Sequence, residues 1–187
     1  MTALPFPLAG TTLLTGPSNV GKTRLTALAL DRWVADHGPD GVVVFDFAPV
    51  VERDGTVLGG RLTQFTAVPD AAWHGVLEAH APRAESETPA EAVRLAADNG
   101  VRAARLLDGA PENPAAVFVN DATIPFQASG DPARLTGYCD RAAVAVLNAF
   151  ESEELGVDDP VSRRERRALR AFDAWADRHV RLPVDRS

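Results

Sequence analysis

The chain is almost without lysine: Lys22 is the only one among 187 residues, beside 18 arginines. Cysteine is equally scarce. Cys139 stands alone, which excludes an intramolecular disulfide and a cysteine-based metal cluster, and a small apolar packing role suits it better than a reactive one. No hydrophobic run approaches the length of a membrane span, so no membrane partner is expected. Met1 to Leu8 carries no basic residue and is broken by Pro5 and Pro7, unlike a secretory leader. These absences together lead us to expect a soluble, cytoplasmic protein. Positive charge is also short, because the formal net charge of −7 argues against a general nucleic-acid-binding surface. Hydrophobic residues make up 45% of the chain and charged ones 24%, enough for one globular domain with a sizeable core.

The single lysine falls in Gly16-Pro17-Ser18-Asn19-Val20-Gly21-Lys22-Thr23, which fits G-x-x-x-x-G-K-[ST], the pattern of a phosphate-cradling loop. Thr11–Thr15 before it is short, β-branched and apolar, as a buried strand would be. After it, Leu25, Leu28, Ala29 and Trp33 recur at helical spacing until Gly38-Pro39. Strand, glycine loop and helix are the context this motif needs. Loop N–H groups and the helix N-terminus, from Gly16 to Arg24, would then face phosphate oxygens. Lys22 would reach the β- and γ-phosphates, and the Thr23 hydroxyl would ligate Mg²⁺.

Further along, Val42–Phe45 and Ala115–Val119 are continuous apolar runs of the kind buried on both faces of a parallel sheet. They end at Asp46 and at Asn120-Asp121. Residues 49–64, centred on Asp54-Gly55 and followed by Gly59-Gly60, predict a small hairpin at the strand tips. Gly75–Ala79 predicts a short strand. Thr88-Pro89-Ala90-Glu91 predicts a capped helix to about Asp108. Asp131-Pro132 predicts a helix carrying Leu135, Tyr138, Ala142, Ala145, Val146 and Ala149. Ser162-Arg163-Arg164-Glu165 predicts a last capped helix with Leu169, Phe172, Ala176 and Val180 on one side. Alternating strands and helices give an α/β fold, a three-layer sandwich around a mostly parallel central sheet.

On these residues the chain resembles the P-loop NTPase superfamily, specifically over residues 11–30 and more loosely over 115–121. The resemblance implies ATP with Mg²⁺. It implies a second acidic contact at a strand tip, which Asp121 fits best for the metal, leaving Asp46 as a catalytic or substrate-orienting carboxylate. Many members carry a Glu directly after the metal-side Asp to activate water, whereas Asp121 precedes Ala122. Glu52 and Asp46 are the substitutes. The guanine-reading [NT]-K-x-D pattern needs a second lysine, so ATP is favoured. A transition-state cation supplied by this chain must be an arginine, with Arg61 and Arg83 as loop candidates.

Arg163, Arg164, Arg166, Arg167 and Arg170 lie among Glu165, Asp173 and Asp177, the pattern of a solvated, salt-bridged helix more than of a nucleic-acid face. The four histidines show no zinc-ligand spacing, although His74 and His80 could lie near a substrate. The expected function is Mg-dependent ATP hydrolysis coupled to a protein partner or conformational change. A kinase acting on a small-molecule or nucleotide acceptor oriented by Asp46 is the alternative, and a non-catalytic nucleotide-dependent binding module is a third.

Overall fold

A computed structural model describes residues 3–53, 56–58 and 60–183. Eight strands and five helices follow in chain order: β1 (Gly10–Gly16), α1 (Lys22–His37), β2 (Val42–Asp46), β3 (Val51–Arg53), β4 (Thr56–Leu58), β5 (Trp73–Val76), α2 (Pro82–Glu85), α3 (Pro89–Gly109), β6 (Ala116–Asn120), α4 (Ala133–Cys139), β7 (Val144–Phe150), α5 (Pro160–Trp175) and β8 (Arg178–Arg181). Six strands form one sheet in the order β5-β2-β6-β7-β1-β8. Every pairing in it is parallel, so all six C-terminal ends lie along the edge from which the glycine loop leaves β1.

The period-2 alternation of each strand sends its side chains to two cores. Leu13, Val43, Phe45, Val117, Val119 and Leu147 pack with α3, α4 and α5 on one face. Leu14, Val42, Val44, Phe118 and Val146 pack with Ala27, Leu30 and Trp33 of α1 on the other. The α/β arrangement therefore has a layer of helix on each side of the sheet. Burial pushes the Cys139 thiol far above its usual range, and that side chain is pure packing.

Several elements depart from the sequence expectation. The helix predicted from Asp131 ends at Cys139, and Ala145, Val146 and Ala149 belong to β7 instead. Seven consecutive residues with only one polar member satisfy a helical period as readily as a two-sided buried strand. The sheet decides between them, because β7 fills the gap between β6 and β1. The last helix starts earlier, at Pro160, because Asp159 is the cap: its Oδ1 accepts from the Ser162 N–H at 2.9 Å. Ser162 and Glu165 are thereby placed inside α5 and buried. The same helix ends at Trp175, and Val180 lies in the edge strand β8. The expected strand at 75–79 begins two residues sooner. In the 49–64 region, β3 and β4 pair antiparallel and a 3₁₀ turn covers Leu62–Gln64. The Asp54-Gly55 turn and Gly59 lie outside the described residues.

Candidate functional site

The run from Gly16 to Thr23 turns the chain from β1 into α1. Gly21 is the N-cap residue at φ 93°, with no side-chain cap, and Asn19 also has a positive φ of 61°. A Cβ on Gly21 would meet nothing within 4 Å, so its requirement for glycine is conformational. Gly16 is constrained twice. Its φ is 150°, and a Cβ there would approach the Leu182 carbonyl oxygen to 2.6 Å. The first-turn N–H groups of α1 have no intrahelical acceptor, and the helix dipole adds partial positive charge at the same end. Lys22 is half-buried. Its Nζ donates to the Gly16 carbonyl at 2.9 Å and to the Pro17 carbonyl. Burial lowers its pKa, while Asp121 and Glu154 act the other way.

A cavity of about 380 Å³ opens in front of this turn. Ser18, Asn19, Gly21, Lys22, Thr23 and Arg24 form one side, and Asn120, Asp121, Asn148 and Phe150 come from the tips of β6 and β7. Ala48, Gly60, Gln64 and Phe65 close the side nearest the hairpin. Asp121 is the only carboxylate among these lining residues. Its backbone is left-handed at φ 62°, and its N–H donates to Asn148 Oδ1 at 2.9 Å. Burial, reinforced by Glu165, raises its pKa to about 7 against the pull of Lys22 and Arg83.

Under the cavity floor runs a buried chain of hydrogen bonds. Thr23 Oγ1 donates to Asn120 Oδ1 at 3.1 Å. Asn120 Nδ2 donates to Asp46 Oδ1 and to the Gly60 carbonyl, both at 2.8 Å. Asn148 Nδ2 donates to Asn120 Oδ1 at 3.0 Å and to Thr26 Oγ1 at 2.9 Å. Asp46 Oδ2 accepts from the Leu62 N–H at 2.8 Å, so both carboxylate oxygens are occupied by protein donors. Asp46 is fully buried and does not line the cavity.

Ser18, Asn19, Gly21, Lys22, Thr23, Arg24 and Asp121 thus share one space, with Asp46 beneath it, while Gly16, Pro17 and Val20 of the expected loop do not line it. The side chain touching Thr23 is the amide of Asn120, which motif spacing does not single out. Nor does it single out Asn148 and Phe150, because a polar or aromatic residue at a strand tip is visible only once strand order is known. Arg61 pairs with Glu78 at 2.6 Å, and Arg83 pairs with Glu165 at 2.6 Å, and neither arginine lines the cavity. His74 Nε2 lies 3.9 Å from Asp46 Oδ2, and His80 bonds Asp98 at 2.9 Å, with neither in the cavity lining. The Glu52 side chain lies outside the described part of the chain.

Among the described residues, no cluster of three or more His, Cys, Asp or Glu is arranged to hold a metal. No helix among them is long and apolar enough to cross a membrane. The chain matches no protein-family model and no curated protein sequence.

Proposed function

We propose that this chain is a P-loop NTPase that binds ATP with Mg²⁺ in the 380 Å³ cavity and hydrolyses it, with turnover coupled to a partner or to a change of shape. One observation carries the reading: Lys22, Thr23, Asp121 and the N-terminus of α1 converge on a single cavity at the C-terminal ends of parallel strands, where α/β folds place ligands.

The residues present suit a magnesium nucleotide. Mg²⁺ retains waters and uses few protein ligands beside phosphate oxygens, so one hydroxyl and one carboxylate suffice for it. Thr23 Oγ1 and the Asp121 carboxylate would hold the ion. Bound there, it would neutralise charge on the β- and γ-phosphates. First-turn N–H groups of α1 orient the phosphates, and Lys22 Nζ exchanges its two carbonyl acceptors for phosphate oxygen. Asn120 keeps the Thr23 hydroxyl in place, and Asn148 holds Asp121 through its backbone N–H. Phe65 is exposed at the rim and offers a ring face to a base. Hydrolysis is favoured over transfer to an acceptor bound at Asp46, since that carboxylate is fully buried, accepts from Leu62 and Asn120, and has no place in the cavity lining.

The test is phosphate release from Mg-ATP by the purified full chain, without added acceptor. Release that needs Mg²⁺ and is lost in Lys22→Ala supports the proposal. Equal Mg-ATP affinity in Lys22→Ala removes it.

A further inference from the structure

We propose that a second cavity, of about 310 Å³, binds a small anion bearing a phosphate or carboxylate group. It lies between α2, α5 and the segment after β7, and Phe150 lines both cavities. Its volume is at the lower end of the range for small-molecule sites.

The cationic wall is built from beneath. Glu165 is buried in α5, with Oε1 accepting from Thr123 Oγ1 at 3.1 Å and from Gln127 Nε2 at 3.0 Å. Its other oxygen accepts from Arg83 Nη1 at 2.6 Å, and the same Nη1 donates to Ser162 Oγ at 2.9 Å. A guanidinium has five N–H donors in a planar fork. Those on Nη2 and Nε of Arg83 have no partner among the described residues, so the buried pair holds a cation in place with donors to spare. A ligand would meet that cation already ordered.

Arg166 and Arg170, one helical turn apart on α5, line the same cavity. Neither forms an ion pair among the described residues, in contrast to Arg83 and Arg181. The wall also holds carboxylates, but most are engaged. Glu165 is neutralised by Arg83. Glu151 accepts from Thr15 Oγ1 at 2.5 Å and lies 3.5 Å from Arg181 Nε. Three arginines and three carboxylates therefore line the cavity, and Arg166 and Arg170 are the two cations with no carboxylate partner among the described residues. Arginine forks match the planar oxygen pairs of phosphate and carboxylate.

Occupancy of this cavity would be felt at the first. Lys22 Nζ and Arg83 Cζ each lie 6.0 Å from the centroid of the Phe150 ring. That link rests on the nucleotide reading, whereas the anion site itself does not.

The experiment is an amide-resolved NMR titration of the full chain with inorganic phosphate and, separately, with succinate. It is run on the wild type, on Arg166→Gln/Arg170→Gln and on Lys22→Ala. Saturable shifts at residues 150–156 and 162–170 are expected with at least one anion. They should persist in Lys22→Ala and weaken at least tenfold in the arginine double variant. A response to phosphate alone or succinate alone identifies the group recognised, and either supports the site. No saturable shift in those segments with either anion, or equal affinity in the double variant, overturns it. Phosphate shifts at residues 16–24 that vanish in Lys22→Ala report on the glycine loop separately, so each proposal can fail without the other.

Discussion

At the scale of the residue, the site depends on two charges whose ordinary pKa values are both disturbed. Lys22 is drawn downward by burial, yet its ammonium has two carbonyl acceptors to hold it. Lys22→Ala removes the cation without opening a core cavity, so the unfolding free energy without nucleotide should change by under about 1 kcal/mol while Mg-ATP turnover is abolished. Lys22→Arg should lose most activity too, because a planar fork does not replace a compact point donor. Asp121 is displaced upward, to about 7 from 3.8. Between those values the folded chain keeps a proton that the unfolded chain has released. Its contribution to stability is therefore complete below about pH 4, falls as the pH rises, and is gone above about pH 7. Urea midpoints compared at pH 5 and pH 8.5 should show this decline in the wild type and a flatter profile in Asp121→Asn. Cation binding needs the ionised carboxylate, so the Mg²⁺-dependent gain in ATP affinity should be larger at pH 8 than at pH 6.

At the scale of the element, the cavity stands on contacts that tie separate segments together. Asp46 joins the tip of β2 to the Leu62–Gln64 turn, and Asn120 joins β6 to both α1 and Gly60. Asp46→Ala leaves the buried Leu62 N–H unpaired. A loss of about 1–3 kcal/mol is expected, with hydrogen-exchange protection falling first at Leu62. Arg83 and Glu165 bridge α2 to α5, and Arg83→Ala strands a buried carboxylate. That substitution should cost about 3–5 kcal/mol in denaturant unfolding, far more than Arg170→Ala on the exposed side of α5. The same contacts explain what could be read from the chain alone. β1, α1, β2, α3 and β6 announce themselves by local pattern, with a glycine, a cap or an apolar run at each boundary. The strand β7 does not, since its buried run has no periodicity of its own and is identified by its neighbours β6 and β1. Asp159 outcompeted Ser162 as a cap because it lies one residue before Pro160, a position that frees its carboxylate for the N–H of Ser162.

At the scale of the whole molecule, the candidate site divides in the same way. The glycine loop is legible because its residues are consecutive. Asn120, Asn148 and Phe150 are not, because they are brought to the loop only by the order of the sheet. A ligand recognised by this assembled surface should stabilise the folded chain alone. Mg-ATP at about a hundredfold over its Kd should add ~2.7 kcal/mol, a rise of roughly 5–10 °C in the unfolding midpoint, and the shift should shrink without Mg²⁺.

The position of β1 in the sheet has a consequence in time. It precedes every other described strand in the chain, yet its two partners are residues 144–150 and 178–181. The Leu182 N–H then donates to the Thr15 carbonyl at 2.7 Å, and the Leu182 carbonyl lies against Gly16. The glycine turn therefore waits for β7 and β8 to be made before its supporting strand is enclosed. Contacts this distant in sequence fold slowly. During translation, a ribosome-bound chain arrested before residue 144 should show no nucleotide protection against proteolysis, however complete its loop motif.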